Sequence, residues 1–425
     1  MATIPDETEQ VAEVDAAESA VLADSLSEYM QSWWKRVRGG ESGTLPVLIG
    51  LVIIVVVFQV TNSNFLTASN MWNLVSQGAA YVLLGMAEIF VLLLGEIDLS
   101  IGFISALGAF VSIWLTTDHG WPWGPAVVLG LALATVIGLV QGLIIVRLGL
   151  PSFVVTLAGL LGWQGVLILV TDKAGGSTGG TISADNPVIH GLVSSNIPVS
   201  LGWLLLGLVL LAYVASTLLV DRGRRRAGLA TVPFGLTIAK CALVVVLGIV
   251  LVAVLSVNRG RYFNVIEGVP WVVPYVLAAV VAWSTLLSRT RFGRYVYAVG
   301  GNAEAARRAG IAIGRVRVAC FGLAGLTAGL AGLAYASNLG SISDNVNGGQ
   351  LVLYAVAAAV IGGASLFGGH GRMVHALLGG LVIATIANGM GLISLSAPMQ
   401  YIVTALVLLA AVTVDALARR GQSPT

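Results

Sequence analysis

The side chains of this sequence that are best able to do chemistry are few, and most lie inside apolar runs. GEIDLS, at 95–100, sets the carboxylates Glu96 and Asp98 where one run ends and the next begins, and Glu88 precedes them inside the first run. An ionisable group in a segment that could span a bilayer is expensive, so it faces protein or water and is by default a functional candidate. Gln141, Gln164 and Asn388 add neutral amides to other runs. Amides suit a hydroxyl-rich solute, and they equally serve hydrogen bonds between packed helices. Glu88, Glu96, Asp98, Gln141, Gln164 and Asn388 are therefore the candidate lining of a polar pathway. Asp98 is expected first as a helix cap, its carboxylate accepting from backbone N–H groups near Ile101 and Gly102, with pathway lining a compatible second role.

GGNAEAARRAGI, at 300–311, is polar for another reason. Asn302 is a good N-cap, Glu304 falls in the first turn where the helix dipole favours an anion, Arg307 and Arg308 fall in the last turn, and Gly310 suits the C′ position. Glu304 and Arg308 are also four apart in the favourable order. Positions 303, 305, 306 and 309 are all Ala, so one side, Ala305 and Ala306 included, is flat enough for another protein to press against. A helix resting on lipid headgroups is the plain alternative, but this one has no Trp, Phe or Leu to insert.

Other chemistries are excluded by absence. No GxxxxGK[ST] occurs and no Lys follows a Gly anywhere, so the phosphate-cradling loop and its lysine are missing and the chain does not itself hydrolyse ATP. HExxH is also missing, as is any run of intramembrane acids and histidines resembling a proton relay, so the chain is not read as an enzyme. Cys241 and Cys320 lack CxxC spacing, and the four histidines form no ligand cluster, so neither a disulfide framework nor a metal site is expected.

The elements that position these residues follow from composition. With 425 residues, 57% hydrophobic and 10% charged, and a mean hydropathy of +0.93, the chain reads as an all-α polytopic membrane protein. Apolar runs of roughly 16 to 23 residues recur near 45–61, 75–94, 100–116, 124–146, 151–171, 200–220, 239–257, 269–287, 318–339, 351–366, 373–395 and 398–417. These predict about ten to twelve transmembrane helices, with Glu96, Asp98 and the Gly-rich run near 362 in broken or re-entrant segments. With the N-terminus inside, alternate loops carry 19 of the 22 Lys and Arg residues, which predicts that both termini are cytoplasmic. Residues 1–44 hold eight acids between Asp6 and Glu28 and read as an acidic cytoplasmic arm. It ends in an interfacial helix marked by Trp33 and Trp34 beside Lys35, Arg36 and Arg38. Residues 45–417 are the expected transmembrane domain and 418–425 a cytoplasmic tail. Gly and Ala stripes such as LAGLTAGLAGLAYA at 323–336 suit close helix packing. The runs at 92–110 and 359–380 share an order of apolar stretch, Gly-containing break and small-residue stretch, a weak internal echo of the repeats common in transporters.

GEIDLSIG, LPSFVVTLAGL and GGNAEAARRAGI, in that order, resemble the permease subunits of bacterial ABC importers for monosaccharides, the ribose and xylose group, with the first two closest to xylose permeases. The likeness covers roughly 45–417, although the 221–240 loop and the span after it depart from shorter members. It implies a multi-pass permease of the bacterial inner membrane whose segment Gly300, Gly301, Asn302, Glu304, Ala305, Ala306, Arg307, Arg308, Gly310 and Ile311 docks on a separate ATP-binding subunit. By the same resemblance that subunit binds ATP and Mg, an extracytoplasmic protein delivers the sugar, and a second permease copy completes the pathway. This chain itself is expected to hold no cofactor and no nucleic acid. The competing class is an ion-coupled secondary sugar transporter, with Glu88, Glu96 and Asp98 as the titrating or ion-binding groups.

Overall fold

The computed structural model describes residues 45–175, 180–228, 233–260 and 265–420. The acidic arm, its interfacial helix and the final five residues lie outside them. The described chain is helical almost throughout. In hydrocarbon each backbone N–H and C=O must find its partner within the segment, and long apolar runs satisfy this as helices.

All twelve expected spans are met by a helix. They are α1 (Leu45–Thr61), α2 (Ala68–Leu92), α3 (Ile101–Thr117), α4 (Trp123–Leu148), α5 (Ser152–Gly175), α7 (Val199–Arg226), α8 (Phe234–Leu255), α9 (Val272–Arg289), α12 (Ile313–Leu339), α13 (Gly348–Ile361), α14 (Met373–Leu392) and α15 (Ala397–Arg420). Short helices α6 (Pro187–Ser194), α10 (Arg291–Gly301) and α11 (Ala303–Arg308) lie between them. Eight of these helices are long and apolar enough to cross a membrane, and four shorter apolar helices stand at α1, α3, α13 and α15. The protein is an all-α polytopic membrane protein.

The chain divides into two compact units, 197–269 and 44–196 with 270–416. The first contains the pair α7 and α8. The sequence places a loop at 221–240, but α7 continues as helix through Arg226 and α8 already begins at Phe234. Arginine is a good helix former, and Asp221 pairs with Arg225 at 2.9 Å one turn away, so the helix runs on past its apolar stretch.

In the second unit α2, α3 and α12 form the centre. Small residues bring backbones close: a Cβ on Gly332 of α12 would fall 1.9 Å from the Ser105 carbonyl oxygen of α3, and one on Gly138 of α4 2.1 Å from that of Phe321 on α12. The stripe at 323–336 is thus a packing face, with Ala324, Ala328, Ala331 and Ala334 fully buried. At one end of this unit strand β1 (Thr181–Ser183) pairs antiparallel with β2 (Ser341–Ser343), Ile182 opposite Ile342. The loops 93–100 and 362–371 meet the largely helical segment 291–317 at the other end, which carries the site.

Candidate functional site

The site is built on a backbone turn. Where α2 ends, the Glu96 N–H reaches the Val91 carbonyl at 3.1 Å and the Gly95 N–H reaches that of Leu92 at 2.9 Å, with Gly95 at φ 74°. This is a Schellman cap, which satisfies the last carbonyls of the helix and turns the chain back. The same pair of bonds ends α13, from Ala364 to Ala359 and from Gly363 to Val360, both at 2.9 Å, with Gly363 at φ 110°. The helices before the two breaks therefore end in the same kind of turn. The breaks also touch, since the Gly369 N–H donates to the Leu93 carbonyl at 2.9 Å.

Turning back at Gly95 brings three of the six pathway candidates together. Asp98 N–H donates to Glu88 Oε1 at 3.2 Å. Asp98 Oδ1 accepts from the Ser100 N–H at 2.9 Å and from Ser100 Oγ at 2.6 Å, and Ser100 Oγ accepts from Gln141 Nε2 at 3.0 Å. Glu88, Asp98 and Ser100 are completely buried, and Gln141 is nearly so. Gly159 on α5 closes the group, because a Cβ there would lie 2.2 Å from Gln141 Nε2. Thr156 Oγ1 ties α5 to the same turn through the Ile97 carbonyl at 3.2 Å. Glu88 Oε2, Asp98 Oδ2 and Trp163 Nε1 have no hydrogen-bond partner. Such groups keep their full desolvation cost, so this cluster has unused hydrogen-bonding capacity.

The capping role expected of Asp98 is corrected. Ser100, not Asp98, is the N-cap of α3, and the Asp98 carboxylate stops at the N–H and hydroxyl of Ser100 without reaching Ile101 or Gly102. An aspartate two residues before the N-cap closes an Asx turn onto its own neighbour, which is the nearer donor.

The other three candidates lie apart. Glu96 turns away from the cluster and pairs with Arg317 Nε at 2.6 Å. Asn388 accepts from Asn70 Nδ2 at 2.8 Å, a buried amide pair between α14 and the first turn of α2, most of a helix length from Glu88. Gln164 is half-buried on α5 and joins neither group.

The 300–311 segment has the punctuation expected of it. Asn302 Oδ1 accepts from the Ala305 N–H at 2.9 Å, and Glu304 pairs with Arg307 at 2.7 Å and Arg308 at 3.2 Å. The end is a third Schellman cap, Ile311 to Ala306 and Gly310 to Arg307 at 3.0 Å each, with Gly310 at φ 82°. The flat Ala face needs correction. Ala303, Ala305 and Ala309 are exposed, but Ala306 is buried in the core, because a single six-residue helix lying on the bundle must turn one position inward. Amphipathic α10, unread in the sequence, leads into the segment with Val296 and Val299 buried and Arg291 and Arg294 exposed.

Residues 70–412 match the family model described as branched-chain amino acid transport system / permease component. The chain belongs to this family. Among the relatives of this permease, the xylose transport system permease protein XylH of Escherichia coli K12 is 34% identical over 380 residues, 88% of this chain and 92% of the relative. XylH of Haemophilus influenzae is 35% identical over 373 residues, covering 87% and 95%. The ribose import permease protein RbsC of Bacillus subtilis is 31% identical over 390 residues, covering 92% and 98%. No solved structure gives a significant match. The permease is a multi-pass protein of the bacterial inner membrane, and the matched region contains all six pathway candidates and the whole 300–311 segment.

Sequence reasoning missed two residues of the permease site. Ser100 stood inside the quoted GEIDLS, where a hydroxyl two residues after an aspartate is a signal for an Asx turn. The signal at Arg317 is a basic residue in the first turns of an apolar helix, which needs a carboxylate near it.

Proposed function

We propose that this chain is the permease subunit of an ATP-binding-cassette importer for a monosaccharide, xylose first and ribose next. The observation that carries the reading is the exposed, doubly capped helix α11, set at the end of the bundle where both broken turns meet, in a chain with no phosphate-binding loop of its own. Such a chain needs a separate motor, and α11 offers it Ala303, Ala305 and Ala309 flanked by Glu304, Arg307 and Arg308. The names of the xylose and ribose relatives support the substrate class. In this reading two copies line one pathway, an extracytoplasmic protein delivers the sugar, both termini are cytoplasmic, and ATP and Mg are bound by the partner. Closure of the motor modules moves 291–317, and access alternates by rocking of helices about the polar cluster.

The test is Ala305→Trp. The side chain is exposed, and Trp costs only a few tenths of a kcal/mol in helix propensity against Ala, so the permease folds. Co-purification of the ATP-binding subunit and sugar-stimulated ATP hydrolysis are lost. Normal association and uptake would remove α11 from the motor interface.

One observation favours an ion-coupled secondary transporter: Glu88 and Asp98 are buried side by side, each with an oxygen unused. Uptake by the permease alone in vesicles holding a proton or sodium gradient and no ATP would establish that class.

A further inference from the structure

Four ion pairs occur among the described residues, and three of them are local, joining side chains three or four apart on one helix. The fourth, Glu96 to Arg317, spans the fold. Arg317 stands in the second turn of α12, shortly after the 300–311 segment, and the Glu96 N–H closes the cap that turns the first break at Gly95. On the other side of the segment, Gly300 presses backbone against backbone: its Cβ would lie 1.8 Å from the Leu93 carbonyl oxygen and 2.8 Å from the Gly369 nitrogen. Tyr297 adds a hydrogen bond from its hydroxyl to the Gly371 carbonyl at 2.7 Å. The elements entering and leaving α11 are thus each fastened to a break, and the Leu93–Gly369 bond fastens the breaks to each other.

We propose that Arg317 and Gly300 are positioning residues for transport, forming a two-point tie that passes movement of the 291–317 segment to the two breaks and so to the Glu88–Asp98–Ser100–Gln141 cluster. The inference rests on the reading of α11 as the motor-docking helix. Its physical basis is stiffness. A contact between packed backbones has no side-chain torsion to absorb a displacement, and close-packed interiors transmit strain. The ion pair adds a second fixed point, so a tilt of α12 cannot leave Glu96 behind without separating opposite charges at a carboxylate that is only 7% exposed. Gly95, joined to Glu96 by a peptide bond, moves with it and packs on the Phe367 carbonyl, and the turned chain carries Asp98 two residues beyond Glu96.

The complication is that removing Arg317 alone strands the Glu96 carboxylate, which harms folding whatever the role of the pair. The experiment therefore compares Arg317→Gln, Arg317→Lys and the double variant Glu96→Gln with Arg317→Gln. Each is reconstituted in proteoliposomes with the ATP-binding subunit and the sugar-binding protein. The readouts are melting temperature, co-purification of the ATP-binding subunit, and xylose or ribose transported per ATP hydrolysed. Arg317→Gln lowers the melting temperature and the transport ratio. The double variant strands no charge, so its melting temperature and its association with the motor return to wild type. Its transport ratio stays down by about tenfold, within the range by which residues of a coupling network change coupling. Arg317→Lys, which keeps a cation, recovers much of the ratio. A double variant with the wild-type ratio would make the pair purely structural and overturn the proposal. Failure of the wild-type chain itself to bind an ATP-binding subunit would instead strike the motor-docking reading on which the proposal stands.

Discussion

Adjacent glycines at 300 and 301 occupy opposite environments, and replacing each by Ala separates packing from propensity. At Gly300 the new methyl would meet the Leu93 carbonyl oxygen at 1.8 Å, and ordinary contact begins near 3.4 Å, so a gap of about 1.6 Å must open between α10 and the first break. That displacement works against the Gly369–Leu93 bond of 2.9 Å and the Tyr297–Gly371 bond of 2.7 Å. Forcing a methyl into a well-packed site costs about 1–3 kcal/mol, and losing a hydrogen bond adds about 1 kcal/mol. Ala in place of Gly returns up to about 1 kcal/mol of helix propensity. The net effect at 300 is a loss of about 1–3 kcal/mol. At Gly301 a Cβ meets nothing within 4 Å, so only the propensity gain remains. Thermal melts of the detergent-solubilised permease, followed by tryptophan fluorescence, should place Gly300→Ala clearly below wild type and Gly301→Ala level with it or above. Equal melting points for the two variants would refute the close backbone contact and the tie built on it.

Asp98→Asn keeps an oxygen for the Ser100 N–H and hydroxyl, whereas Asp98→Leu strands the buried Ser100 N–H at a cost of about 1–3 kcal/mol and leaves the hydroxyl only Gln141 Oε1 to donate to. Expression and melting temperature should therefore fall for Leu and hold for Asn. Loss of uptake in a well-folded Asn variant would show that the charge itself is used. Glu88→Gln retains an acceptor for the Asp98 N–H, and ATP-driven uptake should survive it. Abolition of gradient-driven uptake by the same change would support ion coupling instead. Ala306→Trp, unlike Ala305→Trp, should fail at folding, seen as loss of the monodisperse peak in size-exclusion chromatography, because Ala306 is 4% exposed and cannot admit an indole.

The spans were legible because their signal is redundant: each long apolar run has only one way to satisfy its backbone in hydrocarbon. Caps were legible too where a single residue type suffices, as at Asn302 and Gly310. What escaped the sequence depends on which elements pack together. Asn388 and Gln141 look alike as lone amides in apolar helices, yet Gln141 meets Ser100 and Asn388 meets Asn70. Four Ala residues do not say which of them faces the bundle, and Ala306 does. The pairing of Glu96 with Arg317 joins residues more than two hundred positions apart, and no local spacing encodes it. Helix α10 escaped because its apolar side is short and its arginines mark a loop in any topology count.

The capping turn that ends α2, α11 and α13 also ends α14, with bonds from Leu395 to Met390 at 3.0 Å and from Ser394 to Gly391 at 2.9 Å. Here the left-handed position is held by Ser394 at φ 55°, the single non-glycine residue with positive φ among those described. An L side chain in that conformation costs about 1–2 kcal/mol, part of which glycine would give back through its greater freedom in the unfolded chain. Ser394→Gly is thus an engineering handle far from α11 and from the buried carboxylates. It should raise the melting point of the purified protein without altering transport, and a sturdier background of that kind would let damaging substitutions elsewhere be purified and assayed rather than lost at extraction.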